Sequence, residues 1–278
     1  MSTVVSLRQL ALLRYDVRGA SIAVSRLGSD GDAVLFVPGY TGGKEDFLAI
    51  ADGVVAAGYR YLAMDQRGQY ESTGPDDPAA YAIAALADDL RDVIRAIGGR
   101  VHLVGHSFGG LVTRAAVIAE PALVQSLTLM SSGPARLSGP RSEAILALEP
   151  VLATGGVAAV YDAIATAASG DPRRAPASVE VAAFMRRRFL AASPTGLAVV
   201  GRALLEAPDD VDRLAASGVP ILVCYGAADD SWSPAAQAEM AGRLGAQRVV
   251  FTGAAHSPAV ETPLETLAAL VAFWRSIG

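Results

Sequence analysis

The chain has 278 residues, 52% of them apolar and 18% charged, and carries a net charge of -5. That length suits one large domain with a sizeable core, and the composition excludes a disordered chain and a basic nucleic-acid binder. The single cysteine, Cys224, excludes an internal disulfide; within a strand pattern it reads as a small buried apolar residue, with a reactive thiol as the alternative.

Met1 to Arg8 lack a basic region followed by an apolar stretch and a cleavage site, so no signal peptide is expected. Tyr15–Val17 and Ser21–Arg26, joined through Gly19, read as an antiparallel hairpin. Strands at Val34–Val37, Tyr59–Met64, Val101–Val104 and Leu127–Met130 then alternate with helices at Glu45–Ala57, Pro78–Ile97 and Gly109–Ala119. Such alternation predicts βαβ crossovers and a mostly parallel sheet. It fails between Gly133 and about Ala216, where helical patterns occupy Arg141–Ala153, Val157–Ala168, Val179–Leu190 and Thr195–Leu205. Gly139-Pro140, Gly155-Gly156, Gly170-Asp171-Pro172, Ser193-Pro194 and Pro208 punctuate them. The stretch reads as a helical lid over the strand ends, with Leu148, Val160 and Phe184 among its expected inward-facing positions. Alternation resumes with strands at Ile221–Tyr225 and Val249–Phe251 and helices at Pro234–Leu244 and Pro263–Ile277. The division is a core of residues 1–133 and 217–278 and a cap of residues 134–216. No apolar run of about eighteen residues is uninterrupted. Val151–Ala168 comes closest but holds Tyr161, Asp162 and the Gly155-Gly156 pair, so no membrane span and a cytoplasmic chain are expected.

Gly105-His106-Ser107-Phe108-Gly109 lies between the apolar run Val101–Val104 and the helical pattern that follows. A serine at such a strand-to-helix corner is held in a tight turn with its hydroxyl outward, and the flanking glycines let the backbones pack. The helix N-terminus behind it presents N–H groups to a developing anion. Ser107 is the candidate nucleophile and needs an oriented base. Three histidines are available. His102 lies inside the strand. His106 neighbours Ser107 and points to the opposite face. That leaves His256, in the loop Gly253-Ala254-Ala255-His256-Ser257-Pro258, as the base. The acid is expected between them, beyond a strand end. There Gly226-Ala227-Ala228-Asp229-Asp230 offers two carboxylates. Asp229 is favoured by its position three after Gly226, while Asp230 could instead cap the helix beginning near Pro234.

With these landmarks in order, the chain resembles the α/β-hydrolase superfamily over nearly its whole length. Leu35-Phe36-Val37-Pro38-Gly39-Tyr40 resembles the oxyanion-loop strand, with Pro38 where the family usually has histidine. Asp65-Gln66-Arg67-Gly68-Gln69-Tyr70-Glu71-Ser72 resembles the D-x-R-G-x-G-x-S segment, with Tyr70 where glycine is common. The resemblance implies an α/β-hydrolase fold, a mostly parallel sheet flanked by helices with an inserted helical cap. It implies a serine-nucleophile enzyme, with the oxyanion held by the backbone N–H groups of Tyr40 and Phe108. Serine at the elbow argues against the aspartate-using dehalogenase and epoxide hydrolase branches. A carboxylic ester or related acyl substrate, small to medium and largely apolar, is the leading expectation. Carbon–carbon bond hydrolysis and cofactor-free perhydrolysis are alternatives, and a ligand-binding protein in a hydrolase shell is a different class.

Other patterns fail. Gly42-Gly43-Lys44 resembles a phosphate loop, but Pro38 and Glu45 occupy positions that need glycine and Ser/Thr. No metal-ligand spacing is present, so neither metal nor cofactor is expected. Arg186-Arg187-Arg188 reads as a solvated helix face, with anionic-substrate recognition as the alternative. Glu143, Glu149, Glu180 and Glu206 read as solvent-facing, with binding of a substrate amine from the lid, as in aminopeptidase-type members of the family it resembles, as the alternative. Lys44, the one lysine, is given no role.

Overall fold

Short apolar runs become strands here because both faces of each are covered by helices, which removes the need for polar alternation. The computed structural model describes residues 10–169 and 178–277; the Met1 to Arg8 segment and the Gly170-Asp171-Pro172 break lie outside them. The strands are β1 (Ala11–Val17), β2 (Ala20–Leu27), β3 (Ala33–Val37), β4 (Arg60–Met64), β5 (Val101–His106), β6 (Val124–Met130), β7 (Ile221–Gly226) and β8 (Gln247–Phe251). They form one sheet in the order β1-β2-β4-β3-β5-β6-β7-β8. The first two pairings are antiparallel and the other five parallel. The hairpin begins at Ala11 rather than Tyr15; β1 is an edge strand with half-exposed residues, so its apolar signal is weak. Arg18 and Gly19, at φ 45° and 77°, make its two-residue turn.

The helices are α1 (Leu48–Ala56), α2 (Ile83–Ile97), α3 (Phe108–Ala119), α4 (Pro140–Ser169), α5 (Val179–Leu190), α6 (Pro194–Glu206), α7 (Val211–Ala215), α8 (Pro234–Leu244), α9 (Pro258–Glu261) and α10 (Pro263–Arg275). Strand periodicity divides the core in two. Leu35, Val37, Leu103, Leu127 and Val223 pack toward α2, α3, α7 and α8. Val34, Phe36, Val104, Leu222 and Cys224 pack toward α1 and α10. The helix expected over Pro78–Ile97 is split. Pro78–Tyr81 is a separate 3-10 turn because Asp77 accepts from the Ala79 N–H, and Ala82 is extended at ψ 148°.

Between β6 and β7 the chain leaves the sheet for α4, α5 and α6. By length and composition alone α4 could cross a membrane, with a mean hydropathy of 1.6 over an 18-residue window within Pro140–Ala167. Gly156, at φ 68° and ψ -167°, breaks it into the two helical segments that the Gly155-Gly156 pair predicts. α7 falls in the same stretch of sequence, but its Val211 and Leu214 join the core beside α3 and α8.

Arg188 corrects the reading of Arg186-Arg187-Arg188 as a solvated face. Its side chain is 3% exposed and its Nη1 lies 2.7 Å from Asp46 Oδ1. It docks α5 against a buried ionic network around Lys44, whose Nζ lies 2.7 Å from Asp65 Oδ2, 2.8 Å from Glu45 Oε1 and 2.6 Å from Glu71 Oε2. The arginine run carries no apolar periodicity on its own element, and its partners come from distant sequence. Removing one partner of a buried pair leaves an uncompensated charge. Arg188→Met should therefore lower unfolding stability by about 3–5 kcal/mol, and Arg188→Met with Asp46→Leu should recover part of that loss. Denaturant melts of the three proteins check this, and a single variant as stable as wild type would contradict it.

Candidate active site

The direction of chain crossover reverses at β3, which pairs with β4 on one side and β5 on the other. In open α/β sheets such a switch point opens a crevice at the carboxyl ends of the strands. The Pro38-Gly39-Tyr40 loop leaves β3 there and Ser107 leaves β5. Ser107 adopts φ 54° and ψ -121°, a conformation that non-glycine residues hold only when their surroundings impose it. Adding Cβ at Gly109 would place it 2.3 Å from the Val37 carbonyl oxygen, and at Gly105 2.6 Å from the Gly109 carbonyl oxygen. The two glycines of the pattern are thus required by close approach.

The structure brings Ser107, His256 and Asp229 into one hydrogen-bonded line. Ser107 Oγ lies 3.0 Å from His256 Nε2, and His256 Nδ1 lies 2.9 Å from Asp229 Oδ1. Burial raises the Asp229 carboxyl, but the bond from His256, that ring's charge, the Ser231 N–H and Gln237 outweigh it and hold it below the usual value. An ionised Asp229 can only accept, so Nδ1 of His256 carries a proton and a neutral ring presents Nε2 as the acceptor for the serine hydroxyl.

Asp230 does not cap the next helix. Ser233 does so, accepting from the Ala236 N–H, while Asp230 pairs at 2.6 Å with Arg141 of α4. Ser233 is the better placed because it immediately precedes Pro234.

Tyr40 and Phe108 flank the serine as expected. A Cβ at Gly39 would lie 2.9 Å from Ser107 Cβ, so the backbone that leads into Tyr40 passes against the elbow. Phe108 is the first residue of α3 and its N–H has no intrahelical acceptor. The Tyr40 hydroxyl donates to the Leu197 carbonyl of α6 at 3.1 Å, and burial followed by the Glu149 charge pushes it up to about 12. The phenol therefore stays a donor at neutral pH. A narrow cleft beside the elbow is lined by Tyr40, Phe108, Leu86, Tyr70, Leu197 and Val200. α5 and α6 also contribute Arg188 and Phe189, whereas Leu148, Val160 and Phe184 do not line it. Phe184 packs edge-on against Tyr70, and Val160 is buried within the helical stretch.

Several supporting residues carry no motif signal. Gln66 Nε2 donates to the Pro38 carbonyl at 2.7 Å and Gln69 Nε2 to the Gly39 carbonyl at 2.8 Å. These amides hold the loop from which the family's usual histidine is missing. Gln237 of α8 donates to Asp229 Oδ2 at 2.9 Å; a polar residue on the face shared with buried Met240 and Ala241 is the clue sequence offers. Lys44 Nζ sits 4.6 Å from the centre of the Tyr70 ring, inside the ionic network and closed to a phosphate. Tyr70 takes φ 36°, which explains why glycine is common at its position. Cys224 is buried, and burial pushes its thiol up to about 12, which makes it inert.

A family model described as "Alpha/beta hydrolase family" matches residues 34–270. "Putative carbamate hydrolase RutD" of Variovorax paradoxus is 38% identical over 121 residues, a stretch covering 43% of this chain and 42% of that relative. The aligned stretch thus spans under half of that relative's length. The enol-lactonase from Burkholderia xenovorans LB400 superposes with a TM-score of 0.79 at 22% identity, over 95% of this chain and 100% of that one. A thermophilic esterase from Thermogutta terrifontis gives 0.77 at 24%, over 96% and 99%. At such identities these two likenesses carry the fold alone.

Burial keeps the other two imidazoles neutral. His102, whose Nδ1 lies 2.8 Å from Ser126 Oγ, is lowered by desolvation. His106 is pulled down to about 4 by desolvation and then by the neighbouring His256. An unfolded chain protonates these rings near pH 6.5, roughly. As pH falls from about 6.5 to about 4, the unfolded state therefore binds more protons. Over that window His106 takes up to about 1.4 kcal/mol of stability per pH unit from the fold, and the lowered His102 acts in the same direction. Melting temperatures measured over that window should fall less steeply for His106→Gln than for wild type. Equal slopes would contradict the burial argument.

Proposed function

We propose that this chain, which belongs to the alpha/beta hydrolase family, is a serine hydrolase acting by two-step acyl transfer. The observation that carries the proposal is the line Ser107 Oγ, His256 Nε2, His256 Nδ1, Asp229 Oδ1, with contacts of 3.0 and 2.9 Å. In this reading His256 accepts the Ser107 proton as Oγ attacks the substrate carbonyl. The backbone N–H groups of Tyr40 and Phe108 hold the oxyanion. The imidazolium then protonates the leaving group, and Asp229 keeps the ring in the productive tautomer and stabilises its charge. Water, activated by the same ring, releases the acyl group and restores the free serine.

The apolar lining of the cleft beside Phe108 supports a neutral, largely apolar acyl substrate, with α5 and α6 of the helical stretch contributing to that lining. The two arginines of the cleft are already satisfied. Arg67 is paired with Asp89 at 2.6 Å and Arg188 with Asp46 at 2.7 Å, which leaves no unpaired arginine or lysine among the described residues that line the cleft. The remaining lining is mainly apolar. A carboxylic ester fits this reading best. A carbamate is the second reading, favoured by the 38% identical stretch shared with the carbamate hydrolase relative, and it uses the same serine chemistry on a carbonyl bonded to nitrogen. Relative kcat/KM across matched esters, lactones and carbamates separates the two.

A fluorophosphonate probe should label wild-type protein on the peptide containing Ser107 and leave Ser107→Ala unlabelled. Equal labelling of the variant would sink the assignment.

Asp229→Asn should fold and lose up to about four orders of magnitude in kcat, because the amide favours the wrong imidazole tautomer. Asp230→Asn should keep its activity and lose only the exposed ion pair with Arg141, worth about 1 kcal/mol or less. Kinetics and thermal melts on both variants check this, and reversed phenotypes would move the acid to Asp230.

A further inference from the structure

His106 stands next to the elbow serine, yet the acyl-transfer scheme gives it no part. Being its neighbour in β5, it turns to the opposite face, where it is buried rather than solvated. Its ring meets Phe47 edge-on at 6.5 Å between centroids and lies 5.0 Å from the His256 ring. Its Nε2 is 2.7 Å from the backbone carbonyl oxygen of His256. A carbonyl oxygen can only accept, so Nε2 carries the proton and donates.

The loop that bears His256 is tied down on both sides of that carbonyl. The Ala255 and Ser257 N–H groups donate to Glu261 Oε2 at 2.7 and 3.1 Å. The His256 carbonyl, facing the sheet, is taken by His106. The strand end that leads into the nucleophile therefore also holds the backbone of the residue that activates it, and two adjacent residues, His106 at the end of β5 and Ser107 at the corner, fix both ends of the 3.0 Å Ser107–His256 contact.

We infer that His106 is a positioning residue for acyl transfer: its Nε2–H donates to the His256 backbone and so sets the His256 ring on Ser107 Oγ. The inference rests on the acyl-transfer reading of the site. Charge supports the choice of residue. A positive group 5.0 Å from His256 would oppose the imidazolium that forms during attack. The charged groups that face His106 are Asp46, Asp229 and His256 itself. Burial outweighs the two carboxylates and keeps the ring neutral, so it donates a hydrogen bond without adding charge.

The test uses the full chain with p-nitrophenyl acetate at neutral pH. His106→Leu removes the donor, and His106→Gln keeps an uncharged N–H of similar reach. Each is made alone and with His256→Ala. His106→Leu should lower kcat by up to about 100-fold, as expected when a reacting group is misplaced by about an ångström, with KM nearly unchanged. His106→Gln should recover most of that loss. In the His256→Ala background His106→Leu should cost nothing further, because it acts through the ring already removed. Should the leucine variant fail to fold, His106→Asn, whose shorter amide cannot reach the carbonyl, gives the same reading. Wild-type kcat without the donor would overturn the inference. So would an equal further loss in the His256→Ala background, the mark of a merely structural residue. If Ser107→Ala and His256→Ala themselves kept full turnover, the acyl-transfer reading would fail first, and the inference with it.

Discussion

Everything at the candidate site depends on one strained corner. Ser107 has a left-handed φ because β5 must end and α3 begin within a single residue, directly against the loop leaving β3. A conformation of that kind costs roughly 1–3 kcal/mol and persists only where packing over-determines it. Here it does. Gly109 permits the close contact with the end of β3 and Gly105 that with α3, and the Ser107 N–H donates to the Met130 carbonyl at 2.9 Å. The result is a hydroxyl at the end of β5, 3.0 Å from His256 Nε2. The imidazole and carboxylate are brought to it by loops after β8 and β7.

The loops must then hold still, and polar groups from distant sequence do this. Gln66 and Gln69 fasten the β3 loop, Gln237 and Ser231 fasten Asp229, and Glu261 fastens the segment around His256. The network of Lys44, Arg188, Asp46, Asp65, Glu45 and Glu71 joins that frame to α5. Burying so many charges is worthwhile for specificity more than for stability, since such networks gain little over apolar packing. Its consequence is chemical. Among the described residues, the two arginines that line the cleft are both paired with carboxylates. Tyr40 adds a second link, because it follows Gly39, which packs against Ser107, and its hydroxyl donates to the Leu197 carbonyl of α6.

The sheet was legible because buried parallel strands are short apolar runs separated by helical periods, a pattern local in sequence. The elbow was legible because its glycines are demanded by contacts within a few residues of the serine. Ser107, His256 and Asp229 followed from motif order and from the scarcity of histidine, and the structure places the three side chains in contact. What sequence could not show was pairing over long separations. Arg188 looked solvated because its partner Asp46 lies 142 positions away. Asp230 looked like a helix cap because Arg141 was not visible as its partner. Val160 and Phe184 are buried, as their inward-facing spacing predicts, but Phe189, Leu197 and Val200 are the residues of the helical stretch that line the cleft, because which face of a helix meets it depends on tertiary packing.

The central claim is that Ser107 passes through a covalent acyl intermediate. Rapid acid quenching of the protein during turnover of a slowly released acyl ester, followed by intact-mass and peptide analysis, tests this most directly. The account predicts a transient mass increase equal to one acyl group, located on the peptide carrying Ser107 and formed before steady-state product. Sustained turnover with unmodified Ser107, or with the acyl group on another residue, would contradict it.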